Sequence, residues 1–147
     1  MEVILCLDDR QGMMFNQRRQ SRDKCVMEDI LQQAQDEKRE LWIHPYSVGL
    51  FPVAILDEGQ TEPRSVPIHV SENFLYETPP GQRCLVENQA LFPVENRIEK
   101  LIVYHWNRLY PSDFRLDIAF PGAWKLESCQ EFSGKSHEKI TKEVYGR

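Results

Sequence analysis

The end of the chain places the strongest constraint on its fold. Residues 101–104 (Leu-Ile-Val-Tyr) form a short apolar run that is typical of a buried strand. Residues 124–132 and 137–145 predict two further strands, and the Ser-Gly-Lys-Ser sequence at 133–136 between them predicts a hairpin turn. The sheet of this protein is therefore expected to end in an antiparallel hairpin.

The first third of the chain alternates between strand and helix signals. Residues 3–7 and 41–43 are short apolar runs that predict buried strands. From Lys24 onward, apolar side chains recur at helical spacing, which predicts a helix with one buried face and Ser21 or Asp23 as its cap. Together with the late hairpin, this order predicts an α/β fold with a mostly parallel central sheet, an antiparallel C-terminal hairpin edge and few flanking helices.

The remaining segments give weaker signals. In chain order they predict a turn at 9–12, a loop at 13–23, a strand or turn at 53–56, a surface loop at 57–63, an edge strand at 66–70, a turn at 78–81, a strand at 84–86 and a helical turn at 89–92 that Pro93 interrupts. Because neither repeats nor a linker divide the sequence, one domain covering residues 1–147 is expected.

Composition argues against several classes of protein. With 41% hydrophobic and 28% charged residues, the 147-residue chain is ordinary for a globular domain. Its net charge of -5 gives no strong signal for nucleic-acid binding. No apolar run approaches the roughly 20 residues that a membrane helix needs, and the scattered cysteines favour reduced thiols. A cytoplasmic protein is expected, and the sequence does not indicate its oligomeric state.

The order of these segments resembles that of dihydrofolate reductase. In that family the opening strand runs into a loop with a glycine and then to an acidic residue near the first helix, and Gly12 and Asp23 follow the first strand in a similar order. The family's closing hairpin has a Trp near its start and a Ser-His pair inside it, which Trp124, Ser136 and His137 match. The resemblance implies a dihydrofolate-reductase-like fold.

Departures from the family pattern bear on the activity. The family has a diglycine that lets the cofactor approach the backbone, whereas this chain has Glu87 and Asn88 at the matching place. A carboxylate there would repel a pyrophosphate. The family's Gly-Arg-x-Thr, which holds cofactor phosphate, is matched by His-Pro-Tyr-Ser at 44–47, without the arginine. Ordinary folate reduction with NADPH is therefore not expected, and the cofactor, if any, is unknown.

Two candidate site residues follow from the resemblance. Asp23 falls where the family has its cleft carboxylate, which binds the amidine-like edge of a pterin, and it is the candidate catalytic residue. Ser47 ends the segment that matches the family's phosphate-binding motif, and it is a candidate ligand-binding residue.

A run of arginines precedes the first helix. Arg18, Arg19 and Arg22 lie near the helix N-terminus, where free backbone N–H groups also favour negative charge. Guanidinium groups suit bidentate recognition of carboxylates and phosphates, so this run predicts an anion-binding site. The alternative is a capped helix start whose arginines are solvated or pair with acidic side chains such as Asp8 or Glu87.

Polar residues after the strand at 84–86 have two interpretations. Glu87, Asn88 and Gln89 either contact the hydrogen-bonding edge of a ligand, or Asn88 simply caps the following helix. Four acidic residues that follow strand ends also have two interpretations: they gather to bind a metal or neutralise the arginines, or they form turns. These residues are Asp8, Asp9, Asp23 and Glu87.

The sequence contains no recognisable metal motif. The four histidines show no paired spacing and form no cluster with cysteine, so no metal site is assigned. A zinc-dependent ribonuclease would need a histidine-rich motif to activate water, and the sequence does not support that role.

Three functions remain open. The leading hypothesis is a dihydrofolate-reductase-like domain that has lost ordinary cofactor chemistry and binds a small anionic or nucleotide-like ligand in the residual cleft. The second is a divergent NAD(P)H-dependent reductase. The third is a protein-interaction scaffold with residues 51–82 as its contact surface, which an exposed apolar patch including Phe51, Phe74, Leu75 or Tyr76 would favour.

Overall fold

The computed structural model describes residues 1–51 and 66–147. Its strands are β1 (Glu2–Leu7), β2 (Gly12–Phe15), β3 (Arg18–Arg19), β4 (Leu41–Ile43), β5 (Ile68–Val70), β6 (Arg83–Leu85), β7 (Lys100–His105), β8 (Phe114–Arg115), β9 (Lys125–Phe132) and β10 (Ile140–Gly146). Its helices are α1 (Lys24–Asp36) and α2 (Phe74–Glu77), with 3-10 helices at Pro45–Leu50 and Phe92–Arg97. The segments predicted at 53–56 and 57–63 lie outside the described residues.

Seven of the described strands form one sheet in the order β5-β4-β6-β1-β7-β10-β9. The strands from β5 to β7 pair in parallel, and β10 and β9 add an antiparallel hairpin at one edge. β1 lies at the centre, where Ile4 is aligned with Leu85 of β6 on one side and with Ile102 of β7 on the other. The predicted mostly parallel sheet with an antiparallel hairpin edge is confirmed.

Both faces of the sheet are buried. Successive side chains of a strand point to opposite faces, so one strand contributes to the apolar clusters on both. In β1, Val3 and Leu5 pack into one apolar cluster, and Ile4 packs into a second cluster that contains the buried face of α1. Asp23 is the N-cap of α1, as predicted. The buried residues of the helix are the five that the helical spacing predicts, namely Val26, Met27, Ile30, Leu31 and Ala34.

The segment at 13–23, which the sequence predicts to be a loop, contains two short strands, so this prediction is wrong for much of its length. β2 and β3 form a hairpin, and β8 pairs with β2 to complete a small sheet of order β3-β2-β8. The hairpin turns at Asn16 and Gln17, whose φ angles of 53° and 61° are positive, as a type I′ turn requires. Glycine is the usual second residue of such a turn. Because Gln17 occupies that position, the sequence lacks the Asn-Gly pair that would predict the hairpin.

The helical turn predicted at 89–92 is also wrongly placed. The structure has a 3-10 helix at Phe92–Arg97, and Pro93 lies in its first turn instead of interrupting it. A proline is favourable there because the first N–H groups of a helix have no intrahelical partner in any case. The two backbone N–H groups at the start of this helix donate to the carboxylate of Asp117, at 2.8 and 3.0 Å.

Among the helices of the described residues, none is long and apolar enough to cross a membrane. All four cysteines are unpaired, and Cys84 is the most deeply buried of them. The predicted edge strand at 66–70 is present as β5, at the border of the large sheet.

A buried ion pair joins the start of β1 to the start of β6. Arg83 Nε donates to Glu2 Oε1 at 3.0 Å, and Arg83 Nη2 donates to Glu37 Oε1 at 2.6 Å. The side chains of Arg83 and Glu2 are only 4% and 6% exposed. A second arginine, Arg39, lies 3.7 Å from the other oxygen of Glu2. Because a buried carboxylate that loses its main partner remains desolvated, this pair matters more than a surface pair.

Replacement of Arg83 by Met should lower the free energy of unfolding by about 3 kcal/mol, because Glu2 then stays buried without its closest cation. Lys139→Met is the matched control, since it removes the solvent-exposed Lys139–Glu131 pair and should cost less than about 1 kcal/mol. Urea unfolding monitored by circular dichroism measures both changes. Equal losses in the two variants would contradict the prediction.

Candidate functional site

Polar side chains gather where the parallel strands end. Asp8 follows β1, Ser47 follows β4 and Glu87 follows β6. In open α/β sheets, ligands bind at this edge, beyond the carboxyl ends of the strands. A cavity of about 20 Å³ lies here, with room for roughly one water molecule. Apart from Arg19, Arg22 and Glu87, its walls are mostly apolar.

A bidentate ion pair connects β3 to the end of β6 at this cavity. Arg19 Nε lies 2.8 Å from Glu87 Oε2, and Arg19 Nη2 lies 3.1 Å from Glu87 Oε1. The hydrogen bond to Glu87 raises the pKa of Arg19 above its ordinary value, although partial burial acts in the opposite direction. The predicted alternative, in which an arginine of the run pairs with an acidic side chain, is confirmed for Arg19.

The 3-10 helix after β4 holds this ion pair in place. Ser47 is fully buried, and its Oγ donates to Glu87 Oε1 at 2.7 Å. Tyr46 Oη accepts from the backbone N–H of Arg19 at 2.9 Å, and the Arg19 guanidinium carbon lies 4.7 Å from the centre of the Tyr46 ring. The structure therefore brings together three predicted site residues, Arg19, Ser47 and Glu87.

The other two arginines of the run are placed differently. Arg22 is exposed, lines the cavity and has no side-chain partner among the described residues. Arg18 is also exposed, lies in β3 opposite Phe15 and does not line the cavity. Two of the three predicted anion-binding arginines are therefore brought to one cavity, and Arg18 is not.

The residues after Glu87 do not line this cavity. Asn88 borders an open surface cleft of about 390 Å³ instead, together with Met14 and Phe114. Its Oδ1 is buried without a hydrogen-bond partner in the described part of the chain. Asn88 does not cap the following helix, so that alternative is wrong. Gln89 is partly buried and makes no polar contact with the residues described.

Asp23 is buried, and both of its carboxylate oxygens are occupied. Oδ1 accepts from the backbone N–H groups of Cys25 and Lys135 at 2.9 and 2.8 Å. Oδ2 accepts from the backbone N–H of Ser136 at 2.7 Å and lies 2.9 Å from His137 Nδ1. A carboxylate has about four acceptor positions, so these contacts fill them.

The carboxylate of Asp23 lies away from the wall of the cavity. Asp23 does not line the cavity, and Met27, one helical turn later, does. The predicted contact between Asp23 and a ligand stays a prediction. The carboxylate instead joins the start of α1 to the turn between β9 and β10.

The hydrogen bonds to Asp23 hold it in the ionised form. Burial alone would raise its pKa, but the contacts with His137 and with three backbone N–H groups outweigh this effect and lower the pKa below its ordinary value. A group whose pKa is lowered by folding stabilises the folded state above its ordinary pKa, and this contribution is lost as the pH falls through the folded pKa.

A histidine-centred cluster lies next to Asp23. His137 is buried and stacks on Trp106, with ring centres 4.6 Å apart and planes 18° from parallel. Its Nε2 lies 3.2 Å from Ser21 Oγ and 2.9 Å from Tyr110 Oη. The sequence carries no local signal for this cluster, because its members are up to 116 positions apart.

The aspartates after β1 form a turn, which was one of the two predicted alternatives. Asp8 Oδ1 accepts from the backbone N–H groups of Arg10 and Gly12 at 2.8 and 2.7 Å, and Oδ2 accepts from Gln20. Asp9 is exposed. Within residues 1–51 and 66–147, no group of three or more histidine, cysteine, aspartate or glutamate side chains is arranged to hold a metal ion.

Comparison with known proteins defines the class of fold. No protein-family model matches the sequence, and no curated protein matches it significantly. Among solved structures, dihydrofolate reductase from Enterococcus faecalis, complexed with NADP(H) and RAB-propyl, matches with a TM-score of 0.62. The match covers 99% of this chain and 95% of that chain, at 10% sequence identity. The chain therefore has a dihydrofolate-reductase-like fold, as its sequence predicts.

Asp23→Asn should lower the free energy of unfolding at pH 7 by about 2–4 kcal/mol, because hydrogen bonds to a charged acceptor are lost. The difference from the original protein should begin to shrink as the pH falls below the ordinary aspartate pKa of about 4, because the unfolded carboxylate then binds a proton that the folded one does not. It should disappear as the pH passes through the lowered pKa of the folded state. Asp9→Asn, at an exposed aspartate, is the control. Urea unfolding at pH 7 and pH 3 measures these changes, and a difference that is independent of pH would contradict the prediction.

Gly134→Ala should destabilise the protein by about 1–3 kcal/mol, because the added carbon would overpack the turn. It would lie 2.6 Å from Asp23 Oδ2 and 2.8 Å from the carbonyl oxygen of His137. Gly49→Ala is a matched control, since no atom lies within 4 Å of the added carbon there. Thermal unfolding of both variants checks this, and a larger loss for Gly49→Ala would contradict it.

Proposed function

We propose that this protein binds a small anionic ligand at the carboxyl edge of its sheet, in the cavity lined by Arg19, Arg22 and Glu87. The charge of the cavity carries this proposal. Two guanidinium groups and one carboxylate line it, which leaves a positive excess in a chain whose net charge is -5. Electrostatic attraction of an anion is strongest at such a local excess.

A solved structure of similar fold supports a ligand with phosphate groups. That protein is described as complexed with NADP(H), a ligand that carries phosphate groups. Here Glu87 follows β6 and brings a negative charge to the edge, so a pyrophosphate would meet repulsion. We therefore propose a smaller or nucleotide-like anion as the ligand, and not NADP(H) itself.

The ligand must open the ion pair in order to bind. The cavity holds only about one water molecule, and the fork between Arg19 and Glu87 fills the space beside it. An anion that replaces the Glu87 carboxylate would keep the guanidinium of Arg19 paired in the same geometry. The side chains of Arg19 and Glu87 are 21% and 12% exposed, so solvent reaches both partners.

The protein-interaction alternative depends on residues 51–82, of which the structure describes residue 51 and residues 66–82. Phe51, Phe74 and Leu75 are buried, and Tyr76 alone of the four predicted patch residues is exposed. The predicted apolar patch is therefore not present among the described residues. Within residues 1–51 and 66–147, no contact favours the reductase alternative over simple binding.

Thermal unfolding in the presence of inorganic phosphate, AMP, ADP, folate and NADPH tests the proposal. A ligand at about 100 times its dissociation constant adds roughly 2.7 kcal/mol to the stability of the folded state, which raises the midpoint measurably. We expect a shift with at least one of the smaller anions. Absence of any shift contradicts the proposal, and a shift with NADPH alone would favour the reductase alternative.

Variants of the cavity should alter this binding in opposite directions. Arg22→Ala should weaken the affinity at least about tenfold, because it removes a charge-assisted hydrogen bond. Glu87→Gln should strengthen it, because the carboxylate no longer competes with the ligand for Arg19. Arg115→Ala is the control, because it removes the same charge as Arg22→Ala from an exposed arginine that does not line this cavity. It should leave the affinity unchanged. Equal effects of all three variants would contradict the proposed site.

A further inference from the structure

A serine, a histidine and an aspartate form a chain of hydrogen bonds beside the cavity. Ser21 Oγ lies 3.2 Å from His137 Nε2, and His137 Nδ1 lies 2.9 Å from Asp23 Oδ2. Ser21 is partly exposed and lines the cavity, whereas His137 and Asp23 are buried. The order is therefore an accessible hydroxyl, a buried imidazole and a buried carboxylate.

The contacts of Asp23 determine the direction of these hydrogen bonds. An ionised carboxylate only accepts, so His137 must carry its hydrogen on Nδ1. In the neutral imidazole, Nε2 is then free to accept a proton from a hydroxyl. Stacking on Trp106 fixes the plane of the ring, and the three backbone N–H groups on Asp23 fix the carboxylate.

We propose that Ser21 is a nucleophile activated by His137, with Asp23 as the positioning residue, and that this site hydrolyses esters of short carboxylic acids. The geometry is that of a nucleophile, a base within hydrogen-bond reach and a third group that orients the base. This activity goes beyond anion binding and does not depend on it, because a neutral ester would also react.

The cavity limits the size of the acyl group. Its volume of about 20 Å³ accommodates a group the size of water or methyl, and Met27, Leu85 and Trp106 contribute apolar walls. The methyl end of an acetyl group fits this space when the acyl carbon lies at Ser21, and a long acyl chain does not. Arg22 lines the same cavity without a side-chain partner among the described residues, so a cation is available to the oxyanion.

Ser21 is a better nucleophile here than the cysteine in the same cavity. Burial, together with the negative charges of Glu87 and Asp23, raises the pKa of the Cys6 thiol far above its ordinary value. The thiol therefore stays protonated at neutral pH, and it is the thiolate that reacts. Ser21 instead has a base within reach of its hydroxyl.

Tyr110 shares the acceptor nitrogen of His137. Its Oη lies 2.9 Å from Nε2 and 3.4 Å from Ser21 Oγ. When Ser21 donates its proton to Nε2, the Tyr110 hydroxyl donates to Ser21 Oγ instead. This rearrangement needs only rotation of the two hydroxyl hydrogens.

The reaction proceeds in two balanced halves. Ser21 Oγ forms a bond to the acyl carbon as its proton passes to His137 Nε2. The bond from the acyl carbon to the alcohol oxygen then breaks, and the alcohol leaves with that proton. Water next adds to the acyl-serine and gives a proton to Nε2. The bond to Ser21 breaks, Oγ recovers the proton, and the carboxylic acid leaves.

Hydrolysis of p-nitrophenyl acetate, together with labelling by a fluorophosphonate, tests the proposal. We expect turnover of the acetate ester, little turnover of p-nitrophenyl octanoate, and addition of one phosphonyl group that peptide mass spectrometry locates at Ser21. Absence of both turnover and labelling, or labelling at another residue, overturns the proposal. Faster turnover of the octanoate overturns the proposed acyl selectivity.

Two variants separate the serine from background reactivity. Ser21→Ala should abolish labelling and lower ester turnover at least about 100-fold, which is the scale of losing base-assisted attack. Ser128→Ala, in the exposed strand β9, should leave both unchanged. Full activity of Ser21→Ala overturns the proposal. This outcome does not depend on variants of buried His137, which could fail to fold.

The positioning role of Asp23 has its own readout. Asp23→Asn should lower kcat at least about 100-fold with little change in KM, because the imidazole then loses its orientation and tautomer. Nitrogen-15 NMR of the His137 ring should show the hydrogen moving from Nδ1 to Nε2. If kcat falls but the tautomer is unchanged, Asp23 is not the positioning residue.

Discussion

The carboxylate of Asp23 is the contact that joins three separate parts of the structure. It caps α1, binds the turn between β9 and β10 through two backbone N–H groups, and orients the His137 ring. A buried charge is tolerated only when its acceptor positions are filled, and here four donors fill them. Loss of this charge would therefore disturb a helix end, a hairpin turn and the buried ring that contacts Ser21 together.

The carboxyl edge of the sheet carries an ion pair and hydrogen bonds between side chains of the protein itself. Ligands of open α/β sheets bind at this edge, and in this protein Arg19, Glu87 and Ser47 are hydrogen-bonded to one another there. An ion pair that is partly exposed can exchange one partner for a ligand at modest cost, because water already screens it. In the proposed binding mode, the same contacts hold a cation in place for an incoming anion.

The sequence predicts the large sheet well and the site poorly, for physical reasons. The apolar runs of β1 and β7 and the helical spacing of apolar residues in α1 are local patterns, so these elements can be recognised from short stretches of sequence. The cap at Asp23 is likewise local, because it directly precedes the helix. The hairpin at Asn16 and Gln17 has no such signal, because its turn lacks glycine. Clusters such as Ser21 with His137 depend on contacts between distant segments, and no short motif reports them.

The long sequence separation of the Asp23 contacts has a consequence for folding. Three of its four donors lie 112 to 114 positions further along the chain. During folding, the carboxylate must stay hydrated until the final hairpin has formed and docked, since a loop of that length closes late. The first helix and the last two strands should therefore exchange their amide hydrogens as one cooperative unit, although they lie at opposite ends of the chain.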